Sequence, residues 1–243
     1  MVEPLFHKDN LKDAAIGAGV ELSGPEAKHA ITVRRMRVGE AIQLSDGLGL
    51  RIKGSIAELN GNSLLVSVSE VITESLPARQ LYLVQALAKG DRDELAIQAA
   101  TELGVTGVIP WQAARSISRW DGVKQAKGQE RWQLIVNEAS KQSLRAHNPK
   151  VQGILDTKAL IKALADFDLV LVLDISASKL LNSLELPAQG KIALVVGPEG
   201  GIDASELELF VASRAKLISL GANVLRTSTA GMAAVAAITL GNL

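Results

Sequence analysis

The sequence contains no cysteine, which excludes disulfides, thiolate nucleophiles and cysteine-based metal sites. That absence fits a reducing, cytoplasmic setting. Aromatic residues make up only 3% of the 243, so an aliphatic core is expected. Neither sign of charge is in excess: 26 Lys and Arg face 26 Asp and Glu. Net charge therefore gives no argument for a nucleic-acid partner; only local clusters could. No apolar run is long enough to cross a bilayer, and the first residues carry charges and Pro4 rather than a signal-peptide core. His7, His29 and His147 are scattered without metal-ligand spacing, and no G-x-S-x-G elbow is present. Metal-dependent and serine-hydrolase chemistry thus lack support.

What is present is an ordinary globular composition, 47% hydrophobic and 21% charged, on a chain long enough for one large or two modest domains. Residues 1–72 read mainly as β. Short apolar runs at 41–44, 50–56 and 63–68 are separated by the turn signals Ser45-Asp46-Gly47 and Asn60-Gly61-Asn62. One helix over 27–33 interrupts them, announced by the capping-box pattern Ser23-x-x-Glu26 with Pro25 in its first turn. A compact β-barrel-like domain is expected. Residues 73–79 read as a connector.

From 79 to 243 the pattern changes. Apolar strands are expected at 81–88, 105–111, 169–174, 192–196 and 216–220. Helices are expected after the caps Asp91-x-x-Glu94 and Asp203-x-x-Glu206, and over 129–145, 158–165 and 227–240. Gly104 suits the position just past the first of these. Apolar strands alternating with helices indicate α/β architecture, a parallel sheet covered on both faces.

Four segments could carry chemistry. Gly197-Pro198-Glu199-Gly200-Gly201 follows a strand and precedes a capped helix, where a ligand sits in open α/β sheets. It is neither G-x-G-x-x-G nor a Walker loop, so the bare pattern is either a ligand loop or a tight turn. In the segment 220–230, Gly221 breaks a strand and Arg226-Thr227-Ser228-Thr229 precedes an Ala-rich helix. Its hydroxyls could simply cap that helix, whereas Arg226 is the residue type for phosphate or carboxylate forks. The small residues 230–237 permit close packing, at a subunit interface or in the core. Glu138-x-x-x-Gln142-x-x-Arg145 places three polar groups on one helical face, a site or a solvated surface. Lys28, His29, Arg34, Arg35 and Arg37 form the one marked basic cluster, suited to phosphate contact or to plain solvation.

Taken with Leu87-Ala88-Lys89-Gly90-Asp91-Arg92, Thr101-Glu102-Leu103-Gly104-Val105 and Leu225-Arg226-Thr227-x-Thr229-Ala230, these motifs match a known family in order and spacing over nearly the whole chain. The sequence resembles the bacterial small-subunit ribosomal RNA uridine-N3 methyltransferases of the SPOUT superfamily. The resemblance implies a PUA-like RNA-binding β-barrel over 1–72. It implies an α/β methyltransferase domain with a C-terminal trefoil knot over 79–243, S-adenosylmethionine as cofactor, and a cytoplasmic homodimer without metal or membrane. The partners it implies are small-subunit (16S) ribosomal RNA or the assembled small subunit. The cofactor residues it implies are Val196, Gly197, Glu199, Gly200, Gly201, Leu220, Gly221, Leu225, Thr227, Thr229 and Ala230. Arg226, with Glu138 and Arg145, is implied at the reacting base, and His29, Arg34, Arg35, Arg37 and Lys89 at the RNA. Three departures stand out. Ala222-Asn223 replaces a common Pro-Arg, Ser228 replaces a common Glu, and Lys141 stands where an acid is usual. Two rival readings share these loops: a SPOUT methyltransferase acting on transfer RNA or another ribosomal nucleotide, and an RNA-binding module without activity.

Overall fold

The turn at Asn60-Gly61-Asn62 joins two eleven-residue strands, β4 (Leu50–Asn60) and β5 (Ser63–Thr73), with Gly61 at the left-handed φ of 59° that the turn needs. A computed structural model describes residues 2–241; Met1, Asn242 and Leu243 lie outside the described residues. Two compact units emerge, Met1–Leu76 with Ser140–Asn148, and Pro77–Ala139 with Pro149–Leu243.

In the first unit, β4 and β5 are flanked by β1 (Leu5–His7), β2 (Gly19–Ser23) and β3 (Ala41–Ser45), in the order β1-β3-β4-β5-β2. The sheet encloses an aliphatic core of Leu22, Ile42, Leu44, Ile52, Ile56, Leu64 and Val66, with Phe6 its one aromatic. The short β1 and the largely exposed β2 left no apolar run in the sequence.

The expected helix over 27–33 is two elements. α1 (Gly24–Lys28) runs directly into a π-helical turn, His29–Val33. The capping box expected at Ser23 and Glu26 does not form, because Ser23 makes no side-chain cap bond. Glu26 instead accepts from the His7 amide at 3.1 Å and from Lys141 Nζ at 2.7 Å. A charged donor is the stronger partner and draws the carboxylate away from the helix end. After the π-turn, Met36 is buried while Arg34, Arg35 and Arg37 are exposed. Arg35 takes a left-handed φ of 54°, uncommon for a residue with a side chain.

The helix expected over 129–145 is α3 (Val123–Gln142), which starts earlier and stops sooner. Leu144 takes φ 56° and the chain turns, so Arg145 is not on the helical face of Glu138 and Gln142. Residues 140–148 are held within the first unit by several bonds. Arg51 donates to the Leu144 carbonyl at 3.1 Å, and His147 Nε2 meets the Glu74 carbonyl at 2.7 Å. Gly49, at φ 111°, leaves no room there for a Cβ, which would stand 2.5 Å from the same carbonyl.

The second unit is the parallel sheet. Its strands are β6 (Arg79–Ala86), β7 (Gly107–Gln112), β8 (Lys150–Val151), β9 (Leu155–Asp156), β10 (Leu169–Leu173), β11 (Gly190–Val196) and β12 (Lys216–Ile218). They run in the order β12-β10-β11-β6-β7-β8, with β9 beside β7, and every pairing is parallel. Successive residues of one strand face opposite cores. Leu83, Val108, Leu171 and Leu194 lie in one, and Val84, Ile109, Val172 and Val195 in the other. This is why the strands read as continuous apolar runs rather than alternation. The few aromatics are concentrated here: Trp111 packs edge-on to Phe210, and Trp132 to Trp120.

The helices of this unit are α2 (Arg92–Glu102), most of α3, α4 (Thr157–Leu164), α5 (Ala204–Ala212) and α6 (Thr227–Leu240). The Asp203–Glu206 capping box is formed in full. The cap expected at Asp91 is not: its side chain makes no cap bond, and Asp93 accepts from the amides of Ala88 and Glu94 instead. One face of α6, with Gly231, Ala234 and Val235, is buried in the core. A Cβ on Gly231 would lie 3.2 Å from Leu83 Cδ1, so the small residue sets how closely α6 approaches the sheet. No described helix is long and apolar enough to cross a membrane.

Candidate active site

β10, β11 and β12 lie side by side, so the loops at their carboxyl ends converge. The glycine loop after β11 turns at once. Gly201 donates its amide to the Pro198 carbonyl at 2.9 Å and takes φ 73°. Gly197 must be glycine, since a Cβ there would stand 2.6 Å from Ile202 Cγ1. The loop after β12 opens on Ser219, whose hydroxyl both donates to the Gly221 carbonyl and accepts from the Gly221 amide. Gly221 follows at φ 133°.

Between these loops lies a cavity of about 420 Å³. Val196, Ile202, Ile218, Leu220 and Leu225 give it apolar walls, and Leu173, Asp174 and Ile175 close it from the end of β10. Among the described residues, no protein acceptor takes the backbone amides of 222–226.

The glycine loop is held from outside at three points. Thr227 Oγ1 donates to the Gly197 carbonyl at 2.8 Å while accepting from Gln85 Nε2 at 2.9 Å. The Glu199 carboxylate accepts from the Lys89 amide at 2.8 Å and from Arg92 Nη1 at 3.1 Å. Arg115 Nη1 donates to the Gly200 carbonyl at 3.2 Å. Burial alone would raise the Glu199 carboxyl, but its own amide, that of Lys89 and the Arg92 guanidinium outweigh this and hold it below the usual carboxylate range. Four charged side chains line the cavity, and two of them, Arg92 and Glu199, neutralise each other. Asp174 spends one oxygen on the amide and hydroxyl of Ser176, and among the described residues its other oxygen has no protein partner. Arg226 has no side-chain partner among the described residues and is exposed.

Residues 74–239 match the family model described as an RNA methyltransferase domain, and residues 22–69 match an RNA methyltransferase PUA domain. A ribosomal RNA small subunit methyltransferase E of Mycobacterium bovis is 39% identical, covering 98% of this chain and 92% of its own. The protein of that name from Bacillus subtilis is 34% identical over 89% and 88%. Among solved structures, the ribosomal RNA small subunit methyltransferase E of Neisseria gonorrhoeae, bound to S-adenosyl methionine, superposes with a TM-score of 0.86 at 30% identity over 98% of both chains. The chain belongs to the ribosomal RNA small subunit methyltransferase E family.

Of the cofactor residues that the family resemblance implies, Val196, Gly197, Glu199, Gly201, Leu220, Leu225, Thr227 and Ala230 line the cavity, as does Arg226. Gly200, Gly221 and Thr229 do not; Thr229 bonds back to the Arg226 carbonyl at the helix start. Glu138 is exposed on α3 in the second unit and is not part of the cavity wall. Arg145 belongs to the first unit, where burial pulls its guanidinium down to about 10. His29, Arg34, Arg35 and Arg37 are together in the first unit, with His29 edge-on to Phe6, whereas Lys89 is exposed in the second. The sequence reading missed Arg92, Asp174 and Arg115. Asp174 directly follows β10, Arg115 lies in the segment after β7 and Arg92 opens the helix after β6, and their nearness to the loops after β11 and β12 is a signal that exists only once the sheet order is known.

Asp93 lies just behind the Lys89–Arg92 clamp and is 5% exposed. Burial raises its carboxyl from 3.8 to about 6, partly offset by the amides of Ala88 and Glu94. A carboxyl raised in the folded state binds more protons folded than unfolded, so stability is lost as pH climbs from 3.8 to about 6. Asp93→Asn should flatten that segment of the stability profile, by roughly 2–3 kcal/mol across it. Urea unfolding of both proteins at several pH values within that window measures the difference.

Proposed function

We propose that this protein transfers a methyl group from S-adenosylmethionine to N3 of a uridine in small-subunit ribosomal RNA. The observation that carries the reading is the cavity between two glycine-bearing loops with an unpaired arginine at its rim. The cavity's chemistry fits the cofactor. Apolar walls suit the faces of an adenine, the unengaged amides of 222–226 suit its edge, and the open oxygen of Asp174 suits a hydroxyl or ammonium group. When bound, S-adenosylmethionine supplies a sulfonium methyl, already an activated electrophile.

The chain's own task is alignment and charge. Uridine N3 is a neutral imide at physiological pH and must lose its proton as the methyl arrives. Arg226, exposed and unpaired, stabilises the negative charge that develops on the uracil. N3 lies on the base-pairing edge, so the target base must be unpaired or splayed out. Glu138 and Arg145 retain a place in the reading only if a second copy brings them to this site. That copy would make the homodimer, for which the exposed Ala237 and Leu240 of α6 are available. We read 1–72 as the PUA-like barrel and 79–243 as the SPOUT domain. The knot reading rests on the family resemblance; α6 packs against β11, and its Thr227 bonds the Gly197 carbonyl and the Gln85 amide. Cytoplasmic ribosome assembly is the setting this implies.

Methyl transfer from labelled S-adenosylmethionine to small subunits lacking the modification, read by nucleoside mass spectrometry, tests the reading. N3-methyluridine is the expected product; another methylated nucleoside would overturn it. Arg226→Ala should lower kcat about a hundredfold or more with little change in cofactor affinity. An equal loss of cofactor binding would move Arg226 to the cofactor.

The basic cluster of the first unit contacts RNA phosphates in this reading. Arg35 there is held in a left-handed conformation, which costs about 1–2 kcal/mol. Arg35→Gly relieves that strain while adding unfolded-state entropy of similar size, so stability should stay within about 1 kcal/mol. RNA affinity should fall, with a salt dependence shallower by about one charge. Chemical unfolding and RNA titration at several salt concentrations separate the two effects.

A further inference from the structure

A loop that is mostly glycine has few side chains with which to fix its own shape, and glycine gives up more backbone freedom on ordering than any other residue. Gly197-Pro198-Glu199-Gly200-Gly201 must nevertheless present one backbone contour to a ligand. Its first and third residues are held by Thr227 and by Lys89 with Arg92. Gly200 does not line the cavity, yet its carbonyl is taken by Arg115, a residue of the segment after β7. We propose that Arg115 is a positioning residue for the cofactor site, setting the Gly200–Gly201 turn through that carbonyl.

Three features support this. Arg115 makes two bonds in different directions: Nη1 reaches Gly200 at 3.2 Å and Nη2 reaches Asp203 Oδ2 at 3.0 Å. A planar guanidinium that bridges two acceptors fixes their separation, which a single-point ammonium cannot do. Next, the far end of the brace is rigid. Asp203 is fixed as the cap of α5 by the amide and hydroxyl of Ser205, which together with Arg115 hold its carboxyl low.

The chain carrying Arg115 is anchored as well. Glu206, 4% exposed, accepts from the Ala114 amide at 2.9 Å, from Thr157 Oγ1 at 2.5 Å and from the Asp203 amide at 3.3 Å. Trp111 Nε1 in turn donates to Thr157 Oγ1 at 3.1 Å. The backbone at Ala114, next to Arg115, and the Asp203 cap are thus tied to one buried carboxylate. The guanidinium spans from there to the glycine loop.

As a stabilising ion pair Arg115–Asp203 contributes little, since the two side chains are 50% and 32% exposed. Its effect is therefore expected in the shape of the loop and not in global stability. The inference rests on the proposed cofactor reading. Calorimetric titration of S-adenosylmethionine into wild type, Arg115→Ala, Arg115→Lys and Arg119→Ala, each with its melting temperature, tests it.

Arg115→Ala should bind the cofactor about tenfold more weakly, the loss expected for a charge-assisted hydrogen bond. Arg115→Lys, which can satisfy one acceptor but not both, should recover part of that loss. Arg119→Ala, which removes a neighbouring exposed cation, should bind as wild type does. Melting temperatures should agree within about 2 °C across the series. Unchanged cofactor affinity in Arg115→Ala, with RNA affinity lost instead, would make Arg115 an RNA contact and overturn the proposal. So would a parallel fall of affinity and melting temperature that lysine does not rescue. Wild type that binds no cofactor would overturn the functional reading itself, a separate outcome.

Discussion

The Thr227 hydroxyl is the contact on which the site depends most. It donates to the Gly197 carbonyl and accepts from the buried Gln85 amide, so one side chain links β6, the glycine loop and the start of α6. These segments are far apart in sequence, and neither loop could hold its shape alone. Losing the hydroxyl would leave the half-buried Gly197 carbonyl and one of the two N–H groups of the buried Gln85 amide without this partner, and an unsatisfied buried group costs about 1–3 kcal/mol. Glycine supplies the close approach, and side chains from three other elements supply the order that glycine lacks.

The same division of labour explains how far the sequence could be read. α6 was legible to the residue, because hydroxyl residues suited to a helix start, Thr227-Ser228-Thr229, lead into an Ala-rich stretch without proline. The Asp203–Glu206 box was legible because each acid keeps one oxygen for the helix start while its other oxygen takes the outside partners, Arg115 on Asp203 and Ala114 with Thr157 on Glu206. Its counterpart at Ser23 and Glu26 failed. Lys141, 115 residues away, offers the carboxylate a charged donor. Arg145 was misplaced by a single left-handed residue, Leu144, which no helical periodicity reveals. The apolar strands of the parallel sheet were visible as runs, but their order was not. Arg92, Asp174 and Arg115 reach the site only through that order.

The first unit shows how irregular backbone can serve display. A π-turn after α1 shifts the chain, Met36 anchors it in the core, and Arg34, Arg35 and Arg37 are left pointing outward around that anchor. π-turns are costly and concentrate at functional places. The basic cluster itself was plain in the sequence; the strain that presents it was not.

Hydrogen–deuterium exchange with and without S-adenosylmethionine tests most directly the claim that the two loops form one cofactor site. Peptides covering 197–203 and 219–227 should gain protection together on addition of the cofactor, while those covering β4 and β5 stay unchanged. Protection confined to one loop, or appearing only elsewhere in the chain, would contradict the account.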